Sequence, residues 1–321
     1  MLAVAVVVML AALWALGCWW GGTQLACPPR RALQTYHREF LAEPAAHGVV
    51  LTNFTISDGT PCILVEPLPG VTRGARGEAV RKQLSRQQIT LPPPGSVIGT
   101  LVLLHGRKGR KEDYLLIAER FCAAGYRCLL ADLPGHGDHA GTQACYGMRE
   151  AEFPGSLLDE AAARFHFASS PAGLMGLSMG GAVAIQAAAA HPQRWSALVV
   201  VSSFDTLENV ARYQASSRLG SFFGSFWQGG VAWVFENKTG VPLASVRSID
   251  KVPLLTMPTL IAHGTSDTVI PIKCGKRLFA ALPASTEKKW IEIPGADHDN
   301  VLITDFPIYS TIAAWILSHV R

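Results

Sequence analysis

Charge is scarce in this chain. Asp, Glu, Lys and Arg together make 16% of 321 residues, hydrophobic residues make 49%, and the net charge is +4. So small an excess is too little to argue for nucleic acid, and no aromatic–basic motif of a DNA- or RNA-binding module appears, so no nucleic-acid partner is expected. The seven cysteines are odd in number and form no C-x-x-C. That argues against both a disulfide framework and a zinc site, and most of them read as buried thiols. His136, Asp138 and His139 lie close together but lack distal partners for a metal. There is no Gly-rich loop ending in Lys-Ser/Thr to cradle a phosphate. No metal and no cofactor is therefore expected.

Charge is absent altogether from Met1 to Trp20. About 20 apolar residues suffice to span a bilayer as a helix, and Trp14, Trp19 and Trp20 suit an interfacial belt at its end. Three readings are open. The favoured one is a retained anchor over 1–22. The second is a secretory signal cleaved near Ala15-Leu16-Gly17. The third is a lipoprotein signal, because Ala15-Leu16-Gly17-Cys18 looks like a poor lipobox. Arg30, Arg31 and Arg38 follow the apolar run, which by the positive-inside rule places the following domain on the cytoplasmic side. An exported protein or lipoprotein is the alternative. A chain starting near Arg30 is expected to be soluble and to keep the activity of the domain.

Residues 23–47 read as a linker, and 48–321 as one α/β domain. Gly48 to Ile56 alternates apolar and polar, Ser57-Asp58-Gly59 turns, and Thr60 to Glu66 returns as a second strand. Residues 68–96 interrupt the pattern with Arg73, Arg76, Arg81, Lys82 and Arg86 against Glu78, and end in Pro92-Pro93-Pro94-Gly95. They are expected to form a solvated basic insertion with one or two helical turns. Val97 to Leu104 is a continuous apolar run, as in a strand buried on both faces. Helical spacing over Tyr114 to Ala124, a strand over Tyr126 to Asp132, a helix over Gly155 to Phe167 and strands over Ala172 to Leu177 and Ala197 to Val201 follow. Such alternation predicts a mostly parallel sheet with helices on both faces.

The third apolar strand runs into Gly176-Leu177-Ser178-Met179-Gly180, a G-x-S-x-G turn, and then an Ala-rich helix. Strand before and helix after is the setting in which this motif holds a serine nucleophile. Four turns precede or follow it in a telling order. His105-Gly106 and Asp132-Leu133-Pro134-Gly135-His136-Gly137 end the earlier strands. His263-Gly264-Thr265-Ser266-Asp267 and Gly295-Ala296-Asp297-His298 come later. From about Val49 onward the chain resembles the α/β-hydrolase superfamily, and its pattern is most similar to the BEM46-like and serine-aminopeptidase-like (S33) branch. The resemblance implies the α/β-hydrolase fold with a small cap, here the aromatic-rich stretch within 203–256.

A serine hydroxyl needs a base to act as a nucleophile, and the base needs an orienting carboxylate. The expected catalytic set is Ser178, His298 and Asp267, in the chain order this fold uses. Asp205 is the alternative acid, since it follows the preceding strand. His105, His136 and His263 are expected to serve loop geometry. Two backbone N–H donors would hold an oxyanion: that of Met179 and, as the resemblance implies, that of Arg107. The side chains of Arg107, Lys108, Arg110 and Lys111 are expected to add positive charge near the site mouth. Phe222, Phe226 and Trp227 in the cap are expected to bind an apolar acyl or aryl group, although a cap core or a membrane-facing patch would explain the same composition. The function expected is a membrane-anchored serine hydrolase cleaving a small carboxylic ester. A peptidase or amidase on the same residues is the alternative, and a silent binding protein the remaining one.

Overall fold

The computed structural model describes residues 1–70, 74–303 and 306–320. Arg73 of the basic stretch lies outside them. Eight strands form one sheet in the order β1-β2-β4-β3-β5-β6-β7-β8. They are β1 (Val49–Thr55), β2 (Pro61–Pro67), β3 (Gly99–Leu104), β4 (Tyr126–Ala131), β5 (Ala172–Leu177), β6 (Ala197–Val201), β7 (Thr259–Gly264) and β8 (Lys288–Ile293). β1, β2 and β4 pair antiparallel, and every other neighbouring pair is parallel. The inner strands β3, β6 and β7 are buried at every position because helices cover both faces, whereas the edge strand β8 exposes Lys289 and Glu292.

Alternate side chains of each strand enter two separate cores. Val102, Leu104, Leu174, Leu198 and Val200 join one. Leu101, Leu103, Met175, Val199 and Val201 join the other. The first core is closed by α5 (Phe153–Phe165), α6 (Met179–Ala190) and α9 (Ile272–Ala281). The second is closed by α3 (Ala75–Arg86), α4 (Leu115–Ala123) and α10 (Ile308–His319). α1 (Leu2–Ala26) is long and apolar enough to cross a membrane. α2 (Thr35–Ala42), α7 (Leu207–Leu219) and α8 (Ser221–Thr239) complete the helices named here.

Three expectations need correction. The basic stretch is not a solvated loop with a turn or two. It holds the 12-residue α3, whose Val80 and Leu84 are buried in the second core. Spacing of four residues puts them on one helix face. The guanidinium of Arg81 is spent on the carbonyls of Ala123 and Pro92 rather than on solvent. The residues expected to be a plain linker also pack: Phe40 and His37 of α2 are buried. Finally, α1 is not a detached segment. Its last two turns are built into the domain, with Cys18, Gly21, Gly22 and Ala26 buried.

The fit of α1 on α8 explains the glycines. A Cβ on Gly22 would lie 2.5 Å from Val234 Cβ, and one on Gly230 would lie 2.3 Å from Cys18 Sγ. Small residues let two helix backbones approach closely, as in membrane helix pairs. Past the last turn, three loop groups hold the end of α1. The N–H of Ala144 donates to the carbonyl of Ala26, the Tyr146 hydroxyl to that of Leu25, and the Arg107 guanidinium to that of Gln24. A chain starting near Arg30 would lose these contacts and uncover Val231 and Val234, so its solubility is no longer the expected outcome.

Candidate active site

The site is built where β5 turns into α6. Ser178 sits at the turn with φ 55° and ψ −116°. A non-glycine residue at positive φ is strained, and such strain clusters at functional sites. The turn closes only because its flanks lack side chains. A Cβ on Gly176 would lie 2.1 Å from the carbonyl oxygen of Gly180, and one on Gly180 would lie 2.2 Å from that of Leu104. Ser178 N–H donates to Val201 O at 2.9 Å, and the Ser203 hydroxyl donates to Ser178 O at 2.8 Å. Ser203 was not singled out from sequence. Its only signal is its place just after β6.

Ser178, His298 and Asp267 come from three separate loops and meet. His298 Nε2 lies 3.0 Å from Ser178 Oγ, and His298 Nδ1 lies 2.8 Å from Asp267 Oδ2. A carboxylate only accepts, so Nδ1 carries the proton and donates to Asp267. Nε2 is then free to accept the serine proton. Asp267 is held from behind, because its Oδ1 accepts from the N–H groups of Val269 and Ile270 at 3.0 and 2.7 Å. Its side chain is fully buried, whereas His298 is partly open. The two N–H groups are backbone, so no residue type could have signalled them.

Asp205, the alternative acid, is placed elsewhere. It accepts from Arg277 Nε at 2.6 Å and from Asn209 Nδ2 at 3.0 Å. Burial pushes its carboxyl up, but Arg277 outweighs that and the pKa lies below the ordinary range.

The other histidines serve structure. His105 Nε2 accepts from Leu133 N–H, and His136 Nδ1 donates to Pro134 O. His263 Nε2 donates to Ile270 O at 2.8 Å, which steadies the turn carrying Asp267. Burial lowers the pKa of all three, to about 3 in His136. All three are therefore neutral near pH 7.

Met179 opens α6, where N–H groups have no partner inside the helix. Arg107 follows Gly106, whose Cβ position would lie 3.4 Å from Ser178 Cβ, so this loop borders Ser178. The neighbouring charges correct an expectation. Arg110 and Lys111 do not line the site mouth. Both are buried: Lys111 Nζ pairs with Asp132, Asp138 and Glu112, and Arg110 with Glu112 and Asp138. Burial pushes the Lys111 ammonium down, but Asp132 and its neighbours outweigh that and raise its pKa. The network fixes the loops after β3 and β4.

The three cap aromatics also stand elsewhere than expected. Phe226 stacks on Trp14 of α1 with ring centroids 4.7 Å apart. The Trp227 indole covers Gly17 and Gly21 of α1. Phe222 is 79% exposed. Aromatic content reported a surface, not which way it faces.

A family described as serine aminopeptidase, S33, matches residues 95–234. The Caenorhabditis elegans protein "Alpha/beta hydrolase domain-containing protein aho-3" is 44% identical over 54 residues, 17% of this chain and only 16% of the nematode protein. A monoacylglycerol lipase of Mycolicibacterium smegmatis is 27% identical over 255 residues, 69% of this chain and 89% of the lipase. Among solved structures, an esterase of Pyrococcus furiosus superposes with a TM-score of 0.63 at 15% identity, covering 92% of this chain and 98% of the esterase. With the sheet order and the turn at Ser178, these likenesses support the α/β-hydrolase superfamily, with a pattern similar to its S33-like branch.

Proposed function

We propose that this protein is a serine hydrolase that cleaves a small carboxylic ester through an acyl-enzyme, held to a membrane by α1. The observation that carries the reading is the unbroken relay from Ser178 Oγ through His298 to Asp267, at 3.0 and 2.8 Å. Ser178 Oγ attacks the ester carbonyl while His298 Nε2 takes its proton. Asp267 stabilises the imidazolium that results. The carbonyl oxygen becomes negative and accepts from the N–H groups of Met179 and Arg107. On collapse the ester C–O bond breaks and His298 returns its proton to the departing alcohol. A water, deprotonated by His298, then attacks the acyl-serine and releases the carboxylic acid.

The same relay could cleave an amide, and the matched family carries an aminopeptidase name. The relatives of greater coverage carry the names monoacylglycerol lipase and esterase, which favours the ester. The burial of the last turns of α1 favours a retained helix over a cleaved signal. Arg30 and Arg31 just past it favour a cytoplasmic domain, which protease protection in intact cells reads directly.

Ser178→Ala is the test of the chemistry. It is expected to lower kcat on a p-nitrophenyl ester by several orders of magnitude and to abolish fluorophosphonate labelling, with the thermal transition kept. Undiminished turnover in that variant would sink the mechanism. Faster turnover of an aminoacyl anilide than of the ester would move the assignment to peptidases.

A further inference from the structure

We infer that the hairpin of α7 and α8 inserts into the near leaflet of the bilayer beside α1, so that the cap is itself a membrane-embedded element. The inference rests on the reading of α1 as a membrane anchor and goes beyond it.

Contacts between α1 and α8 set a register. Trp14 meets Phe226, Cys18 meets Trp227 and Gly230, and Gly22 meets Val234. Residue numbers rise together, so the two helices run parallel. At 1.5 Å per residue, Trp19 and Trp20 stand about 8–9 Å past Trp14 along α1. A tryptophan pair at the edge of an apolar run marks the headgroup level. Phe226 then lies about 8 Å below that level, and Phe222, one turn further, about 14 Å below it. Half of a hydrocarbon core of about 30 Å is about 15 Å. The tip of the hairpin therefore fits within one leaflet.

Side-chain chemistry follows this depth. From Leu219 to Phe235 there is no Asp, Glu, Lys or Arg. Phe222, Phe223 and Trp233 are 79%, 66% and 67% exposed, and Leu219 is exposed beside them. Such a cluster is costly in water and suited to lipid. Charge returns only with Glu236 and Lys238, whose backbone stands about 7–10 Å beyond the Trp pair on the water side, and Lys238 Nζ reaches back to 5.7 Å from the Trp19 ring centroid. Arg218, exposed at the end of α7, is the one charge beside the tip, and snorkelling of its stem would carry the guanidinium only part of the way up from the depth of Phe222. A protein partner would have to cover α1 and α8 together, and the exposed side of α1 is apolar all round, as only lipid requires.

Spin labelling of the full chain in vesicles of phosphatidylcholine and phosphatidylglycerol tests this. A Cys27→Ser background removes the one cysteine that is not buried. Labels are placed through Met9→Cys on α1, Phe222→Cys and Trp233→Cys on α8, and Gln87→Cys on the exposed end of α3. Collision with oxygen against a water-soluble nickel chelate reports depth. The expected oxygen-to-nickel ratio is several-fold higher at 9 and 222 than at 87, with 233 between. A label at 222 that matches 87, while 9 remains in lipid, overturns the insertion and leaves the anchor standing. A label at 9 that matches 87 overturns the anchor, and the insertion with it. A ratio higher at 233 than at 222 would contradict the parallel register.

Discussion

Asp205 and Asp267 follow neighbouring strands of one sheet, and both side chains are buried. One faces a guanidinium and an amide, the other an imidazole that leads to a serine. Arg277 cannot give up its proton, so Asp205 is locked in a permanent ion pair. His298 can, so Asp267 is available to stabilise a charge that comes and goes. In the proposed mechanism the partner, not the carboxylate or its burial, separates a structural acid from a working one.

The largest effect should come from exchanging the two in turn. Asp267→Asn is expected to lower kcat by about 10⁴-fold, because the amide no longer holds His298 in the productive tautomer. Asp205→Asn should leave kcat of the folded protein within about threefold, since its partners are Arg277 and Asn209 and not His298 or Ser178. Steady-state kinetics on the same ester decides. A mild Asp267→Asn and a damaging Asp205→Asn would reverse the assignment.

A smaller effect separates them in stability. Asp205→Ala strands the Arg277 guanidinium and should cost about 1.5–3 kcal/mol, the range for a hydrogen bond to a charged group. Arg277 is 43% exposed, so solvent screening favours the lower end. Urea denaturation measures it, and a change under about 0.5 kcal/mol would mean that the pair contributes little. Because the Asp205 pKa is held below its ordinary 3.8, this contribution is complete above about pH 4 and fades as pH falls through the depressed value.

A change of slope with pH, rather than a loss of activity or of stability at one pH, extends the contrast to histidine. His136 titrates near 3 in the fold and near 6.5 when unfolded, so the unfolded chain binds more protons between those values. Stability from this group is complete above about pH 6.5 and declines as pH falls toward 3. His136→Gln should flatten the fall in Tm between pH 6.5 and 4.5. An unchanged slope would assign that loss to His105 and His263, which shift in the same direction.

How far the sequence reached differs from element to element. The turn at Ser178 was legible because strand, glycines and helix must be contiguous. The meeting of His298 with Asp267 was legible only through the resemblance, since 31 residues separate them. α3 was hidden by composition: four basic residues (Arg76, Arg81, Lys82 and Arg86) dominate it, while burial depends on Val80 and Leu84 alone. Arg110 and Lys111 were read as mouth charges because a sequence lists ions without their partners. The aromatics of α8 could fill a pocket, a core or a membrane face with equal propensity. Only the packing of Trp14 on Phe226 separates these.

The three hydrogen bonds that grip Gln24, Leu25 and Ala26 have a mechanical meaning. An enzyme on a flexible tether tumbles above a membrane and presents its mouth in every direction. Here, under the proposed function, a rigid rod enters the body of the domain and ends on the loop beside Ser178. Rotation about the rod axis and tilt of the rod become rotation and tilt of the active site. A bilayer that changes thickness, and so changes the tilt of α1, would re-aim the mouth relative to the lipid surface without altering any distance inside the site.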